Sequence, residues 1–433
     1  MAVSCTLYGP DGPLNPSPSR NLAAQAAIRG DPGHLQGSMR ILFVNYEYPP
    51  LGGGGGVVMA ALARALARKH EVTVLTSRAL DLAAESDDEG VRVIRVPVFF
   101  RKHLAVANLP SMVMYLPSGL IRGLALAKQS RFDVINTHFV VPSGPLGDWL
   151  ATRLHVPNIL SVHGGDLFDP SKTMSPHRHG LMRSAVARLL RRASVVIGQS
   201  NDTVGHVASI YGVHREVGLI PLGIERPPSI SGATRAEFGV RDDAFVMVTV
   251  GRVIPRKAST QLIEMLAKLN RPSAQLLILG DGPEIPAVLE RAAALGVTHQ
   301  VRHLGYVTDD TKYRVLSIAD AFVSTSQHEG FGLVYLEAMA FGLPIVCYDR
   351  GGQTDFLSTP ATGFVVKLNE LETFTDAVRQ LHDSPALCST IRGYNLQRVE
   401  EFFIDHCANR YEQVFESALR TASGAGVPAD SRR

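Results

Sequence analysis

Short, almost wholly apolar runs recur along this chain at intervals that leave room for one helix between each pair, and no other feature restricts its fold so tightly. "ILFVN" (41–45) is followed by a glycine loop, "PLGGGGG", then an amphipathic stretch over about 57–69, then a second apolar run over 72–76. A strand with one wet face alternates apolar and polar residues. An unbroken apolar run instead suits a strand covered on both faces, as in a parallel sheet between helices. This first segment therefore reads as a βαβ unit. Further runs at 91–96, 134–137, 158–162 and 195–198 continue the series. The Pro-, Gly- and Ser-rich stretch "PLGIERPPSISGATRAEFGVRDD" (221–243) interrupts it. The alternation then restarts, with runs at 245–250, 275–279, 301–304, 321–324 and 343–349 and helix-length segments between them.

Two successive series predict an α/β protein of two Rossmann-like domains facing each other across a cleft, with ligands held where the strands' C-terminal ends meet. The boundaries expected are a disordered extension over 1–38 and an N-terminal domain over 39–222. A linker over 223–243 and a C-terminal domain over 244–398 follow. The remainder is a last helix over 399–421 packing across both domains and a disordered tail over 422–433. A length of 433 residues accommodates this, and 45% hydrophobic with 19% charged residues is ordinary for a globular protein. No run of about 18 uncharged apolar residues marks a membrane span, and the N-terminus lacks the layout of a signal peptide. Cys5, Cys347, Cys388 and Cys407 are scattered without metal-like spacing, which suits reduced thiols in a cytoplasmic protein. The net charge of +3 is too small to point to nucleic acid. Its distribution is uneven: residues 1–225 hold 22 Lys+Arg against 16 Asp+Glu (+6), leaving 21 against 24 (−3) in the rest. The N-terminal half is the likelier face for an anionic partner.

The chemistry concentrates in "HEGFGLVYLEAMAFGLPIV" (328–346), where a strand over 321–324 runs into a glycine loop and then a helix. Gly330 and Gly332 admit close backbone approach, and free amides at a helix N-terminus favour a phosphate. Glu329 before the helix and Glu337 about a turn inside it are poor phosphate ligands, so they should face hydroxyls. A sugar–diphosphate–ribose, with hydroxyls at both ends and anionic charge between, matches that layout; a surface loop before a capped core helix is the plainer reading. In "VGRVIPRKAS", Arg252 and Lys257 stand just past the strand over 245–250, where two cations can neutralise a diphosphate.

"GRVIPRK", "LLILGDGP" and "EGFGLVYLEAMAFGLPIV" together resemble the donor-side motifs of the GT-B glycosyltransferases of family 4, with Glu329 and Glu337 as the E-x7-E pair. The likeness runs over roughly 39–420 and is densest in 249–360. It implies retaining transfer of a hexose from a nucleoside-diphosphate sugar. It also implies Arg252 and Lys257 on the diphosphate, Glu329 on the sugar, Glu337 on the ribose, and the backbone of Phe331, Gly332 and Leu333 on phosphate or sugar. The family's N-terminal glycine loop maps to 52–56, placing Gly53 and Gly54 near the β-phosphate and acceptor. A dinucleotide-binding reading of this loop fails because "HEVTVLTSR" ends without an acidic residue for a ribose. In "SVHGGD", relatives carry a histidine that contacts the transferred sugar, which implies that His163 is a catalytic contact. Glu47, His138 and Asp166 are weaker acceptor-side candidates at strand ends.

Asp355 stands where relatives often have glutamate and receives no role. No D-x-D motif is present, so no metal and no cofactor is expected, with Arg252, Lys257 and a helix terminus supplying the charge. The acceptor is expected to be a sugar or lipid-linked acceptor, or an envelope glycan precursor. The basic amphipathic stretch 176–193 reads either as an ordinary surface helix or as a peripheral contact with an anionic membrane on its inner face; the apolar, Met-rich stretch 99–117 reads as a lip facing the acceptor or a membrane. A nucleotide-sugar epimerase and a catalytically silent nucleotide-sugar binder of the same fold are the competing functions. A sugar phosphorylase would need a lysine-bound pyridoxal phosphate, for which no motif appears.

Overall fold

A computed structural model describes residues 37–424 apart from 80, 100 and 102–107. The extension expected at 1–38 and the tail expected at 422–433 lie, but for their innermost residues, outside the described residues.

The first series of apolar runs forms β1 (Arg40–Val44), β2 (Glu71–Arg78), β3 (Glu85–Asp88), β4 (Val91–Pro97), β5 (Val134–His138), β6 (Asn158–Val162), β7 (Val195–Gly198) and β8 (Gly218–Leu219). They lie in one sheet in the order β3-β4-β2-β1-β5-β6-β7-β8. Every pairing is parallel except β3 with β4. Helices α1 (Gly54–Ala67), α2 (Leu109–Gln129), α3 (Gly144–Leu154), α4 (Gly180–Arg192) and α5 (Asn201–Ser209) connect these strands.

The second series forms an all-parallel sheet from β9 (Phe245–Val250), β10 (Ala274–Leu279), β11 (Val301–Gly305), β12 (Ala321–Ser324), β13 (Ile345–Tyr348) and β14 (Gly363–Val366), in the order β11-β10-β9-β12-β13-β14. Its helices are α6 (Thr260–Leu269), α7 (Ile285–Ala294), α8 (Asp309–Ile318), α9 (Leu333–Ala340), α10 (Leu371–Asp383) and α11 (Pro385–Arg398). Both sheets are buried from both faces, as continuous apolar runs require: Ile41, Leu42, Phe43 and Val44 of β1, and Leu276 and Leu277 of β10, are fully inaccessible.

Three local features differ from the expected elements. Helix α1 starts at Gly54 rather than near Val57, so three glycines form its first turn. Strand β3, "ESDD", has no apolar run because it is an edge strand with an exposed, charged outer side. At the opposite edge of the second sheet, β14 is only four residues long and gives too short a pattern to stand out.

The chain crosses between domains twice, and the crossings bind each other. Ile224 donates to the Phe402 carbonyl at 3.0 Å, and Ile404 donates to that of Ile224 at 2.8 Å. The last helix, α12 (Ile404–Ala422), then returns to the N-terminal domain. Its buried residues Ile404, Cys407, Ala408, Tyr411, Val414, Phe415 and Ala418 recur at helical spacing. They join a core with Met59, Leu62 and Leu66 of α1. Each large apolar side chain so buried contributes about 1.5–3 kcal/mol, and ion pairs Arg68–Asp405 (2.8 Å) and Lys69–Glu412 (2.9 Å) flank the seam.

Candidate functional site

The C-terminal ends of both sheets meet, and the candidate residues lie along that junction. On the C-terminal side, the loop after β12 is held from two directions. The Thr325 hydroxyl lies 3.1 Å and 3.0 Å from the carbonyls of Lys257 and Ala258. Glu329 donates its N–H to the Arg350 carbonyl (3.1 Å) and accepts at its own carbonyl from Gly352 (2.9 Å). Gly332 adopts φ +93°, a conformation suited to glycine, and turns the chain into α9.

This clamped loop buries the Glu329 carboxylate between two cations. Lys257 Nζ bonds Oε1, and Arg256 Nη1 lies 3.3 Å from Oε2. Burial alone would raise the carboxyl pKa, but the charges of Lys257 and Arg256 outweigh it and hold it down at about 2. The two cations come from a short turn, Pro255–Lys257, that follows β9. Arg256 also donates to the carbonyl of His328. Arg252 stands apart from this pairing: it is exposed, has no ion pair among the described residues, and lines one narrow cleft with Lys257, Gly251, Ser324 and Thr325.

Glu337, one turn into α9, is half-buried and also paired. Lys312 of α8 reaches its Oε1 at 2.7 Å and Asp309 at 2.9 Å. Burial favours neutral lysine, yet the Glu337 charge more than offsets it and raises the ammonium pKa. Phe331 points its ring into the core against Phe356, centroids 5.1 Å apart, leaving only its backbone to face a ligand.

On the N-terminal side, Glu47 Oε2 accepts from the Gly53 N–H at 3.3 Å, so this carboxylate bridges to the glycine loop. A Cβ at Gly54 would lie 3.4 Å from Leu333 Cδ1, which brings the loop against the start of α9; a Cβ at Gly55 would run into the Phe139 ring. That ring stacks on His163 with centroids 4.3 Å apart. Gly164 and Gly330 approach so closely that a Cβ on the first would lie 3.1 Å from the other's Cα.

Two acceptor-side expectations are corrected. His138 does not face the cleft; it is 1% exposed and lies behind His163, with its Nδ1 2.9 Å from His163 Nε2. Asp166 is turned inward, accepting from the N–H groups of His163 (2.8 Å) and Val140 (2.7 Å), and burial raises its pKa to about 6. His138 ends β5, where successive side chains take opposite faces, and its side chain falls on the inner one; Asp166 folds back to cap the backbone of its own turn and of Val140. The basic stretch 176–193 contains α4, which buries Val186, Ala187 and Leu190 against the N-terminal sheet while Arg188 and Arg191 remain exposed.

Residues 231–398 match the family model described as glycosyl transferases group 1, and residues 52–226 match that of glycosyltransferase family 4. An uncharacterised glycosyltransferase of Methanocaldococcus jannaschii is 30% identical over 351 residues, covering 76% of this chain and 85% of that protein. The chain belongs to the group 1 glycosyltransferases. A GDP-mannose-dependent alpha-(1-6)-phosphatidylinositol monomannoside mannosyltransferase of Mycolicibacterium smegmatis is 28% identical, with 80% of this chain and 90% of that one covered. Among solved structures, sucrose-phosphate synthase of Thermosynechococcus elongatus superposes with TM-score 0.75 at 21% identity, covering 89% and 99% of the two chains. Anabaena HepE in complex with UDP gives 0.71 at 20%, covering 88% and 100%. The fold is that of a GT-B glycosyltransferase.

The candidate site also contains residues that sequence reasoning missed. Arg256 and Lys312 each partner one glutamate, and only Arg256, adjacent to Lys257, carried a local signal. The first turn of α5 reaches across the junction. Ser200 Oγ donates to the Gly330 carbonyl (3.1 Å), Asn201 donates its N–H to Asp355 (2.7 Å), and Asp202 lies 3.2 Å from His328 Nε2. Asp355 thus sits at a helix N-terminus, where a carboxylate is favoured.

Proposed function

We propose that this glycosyltransferase moves a hexose from a nucleoside-diphosphate sugar with retention of configuration. The observation that carries the reading is the Glu329 carboxylate held ionised between Lys257 and Arg256, at the strand ends and immediately before α9. Each of its oxygens accepts from one cation and keeps capacity to accept from a sugar hydroxyl. Lys257, with Arg252 beside it and the α9 N-terminus, is the diphosphate's neutralising surface. Glu337 is assigned to the ribose hydroxyls, and His163 to the transferred sugar. In the displacement, the acceptor oxygen bonds to the anomeric carbon on the face the diphosphate leaves. The hydroxyl proton passes to the departing phosphate oxygen. UDP is named as bound in the Anabaena HepE structure and GDP-mannose dependence in the mycolicibacterial relative, which supports a nucleotide-sugar donor without selecting the base.

For the acceptor we propose a lipid-linked or otherwise anionic glycan precursor, reached at the cytoplasmic face of an anionic bilayer. Helices α2, α3 and α4 pack side by side over the N-terminal sheet. Their outer side exposes Leu109, Val113, Ile121, Trp149 and Leu181 together with Lys128, Arg153, Arg188 and Arg191. Apolar and cationic groups mixed in this way suit an anionic lipid surface. Among the described residues α2 alone is long and apolar enough to cross a membrane by length and composition, and its inward face packs on the sheet.

Calorimetric titration with UDP, GDP and ADP, with and without magnesium, tests the donor reading. Selective binding of one diphosphate is expected without metal, and absence of binding to all three overturns it. Flotation with phosphatidylglycerol vesicles tests the bilayer contact: co-flotation that is lost in neutral vesicles is expected.

A further inference from the structure

Four buried side chains at the C-terminal edge of the N-terminal sheet stand in one line: Gln199, His163, His138 and Asn136. Gln199 Oε1 lies 3.1 Å from His163 Nδ1, His163 Nε2 lies 2.9 Å from His138 Nδ1, and His138 Nε2 lies 2.7 Å from Asn136 Oδ1. Backbone carbonyls set the direction of both terminal amides. Gln199 Nε2 donates to the His163 carbonyl at 2.7 Å, and Asn136 Nδ2 donates to the Ile159 carbonyl at 3.0 Å. Turning either amide over would press oxygen against oxygen at those distances. Both ends of the line are therefore acceptors.

Three contacts between two acceptor ends need three N–H groups, and two neutral imidazoles own two. One contact in the neutral pair is thus acceptor facing acceptor. One added proton satisfies all three: Nδ1–H of His163 to Gln199, Nε2–H of His138 to Asn136, and one proton shared in the middle. A second added proton would set two N–H groups face to face across the central 2.9 Å contact.

We propose that His138 and His163 form a single proton-sharing unit, with Asn136 and Gln199 as its positioning residues, which takes up one proton from solvent when an anionic nucleoside diphosphate enters the cleft. The uptake rests on the donor-site reading above; the shared-proton frame does not. Burial opposes the charge, lowering the pKa of His138 and bringing that of His163 to about 4, so the ligand-free pair is neutral near pH 7. The entering diphosphate supplies the missing attraction. The glycine loop meets the pair through the Phe139 ring, which packs under Gly55 and on His163.

The other groups around the pair come from every adjoining element. Strand β1 contributes the Phe43 ring, 5.3 Å from that of His138. Helix α12 contributes Tyr411, 6.2 Å from the same ring and bonded through its hydroxyl to Ser161. The turn after β6 contributes Asp166, and the C-terminal domain contributes the Gly330 backbone beside Glu329, itself paired with Lys257 and Arg256. Burial pushes the Asp166 carboxyl up to about 6, so the titration is set above it, at pH 7–8.

The test is titration of the whole chain with UDP, GDP and ADP between pH 7 and 8 in two buffers of different ionisation enthalpy. Net proton uptake per diphosphate is expected, between zero and one and larger at pH 7 than at pH 8, with affinity rising as pH falls. Asn136→Leu removes one acceptor, lets the neutral pair satisfy its contacts, and is expected to abolish the uptake and flatten the slope. Diphosphate binding by the unaltered protein without proton uptake overturns the proposal and leaves the donor reading standing. If none of the three diphosphates binds, the donor reading and the linked uptake fail together, and acid titration of 15N-histidine spectra decides the frame. Both rings moving in one step, with one proton between them, supports it; two independent steps overturn it.

Discussion

The two sides of the junction solve the burial of polar groups in opposite ways. On the C-terminal side the functional groups are formal charges, Glu329 and Glu337 against Lys257, Arg256 and Lys312, each carboxylate neutralised by a cation from a different segment. On the N-terminal side the groups are Gln199, His163, His138 and Asn136, none with a fixed charge, joined in a hydrogen-bonded line. Charged pairs withstand burial only when each partner is present. A neutral line withstands it without counter-ions and responds to charge that arrives later. The first side is therefore ready to hold an anion, and the second to adjust to one.

The sharpest way to break that contrast is Glu329→Gln, which keeps the shape and removes the charge. Turnover is expected to fall by about 10²–10³, the range for losing one group that acts on developing charge, with the circular dichroism spectrum unchanged. Unaltered turnover would remove Glu329 from the chemistry. Acid unfolding reads the same residue. Its folded pKa of about 2 lies below the ordinary glutamate value, so its stabilisation is complete above about pH 4.5 and lost as pH falls toward 2. That loss amounts to about 3 kcal/mol, and Glu329→Gln is expected to show an acid-unfolding curve correspondingly less steep over this interval.

Next in size, Lys257→Ala is expected to weaken diphosphate binding by about 1.5–3 kcal/mol in calorimetry. The neighbouring arginines sharpen this result. Arg252→Ala, at an exposed position with no ion pair among the described residues, should lower diphosphate affinity while leaving the melting temperature in place. Arg256→Ala should lower the melting temperature, because Glu329 keeps one cation instead of two. Equal effects of the two arginine variants on both quantities would erase the distinction drawn between them. The smallest expected effect is Glu337→Gln, which leaves Lys312 with Asp309 as its remaining carboxylate. A loss of about 1–2 kcal/mol of stability in urea unfolding is expected.

Much of the C-terminal side was readable in the chain itself because its signals are local. Glu329, Gly330, Gly332 and Glu337 fall within nine consecutive positions spanning a loop and a helix, and Arg252 and Lys257 follow directly on an apolar run. Lys312 was not readable: it lies 25 positions before Glu337, and only the packing of α8 beside α9 brings them together. On the N-terminal side the same limit applied more widely. His138 and Asp166 stand in suggestive places along the chain, and the structure turns both inward.

By itself the sequence determined the alternation of covered strands and helices, the division into two such series, and the loop-to-helix segment that carries the two glutamates. Periodicity and glycine placement act over a few residues, and those constraints survive in any arrangement of the rest. The tertiary structure alone decided which cation meets which carboxylate, that α12 returns to the first domain, and that four polar side chains from β5, the turn after β6 and the end of β7 stand in one line. Those contacts join residues tens to hundreds of positions apart. Their partners are chosen by strand order and side-chain direction, which no local pattern records.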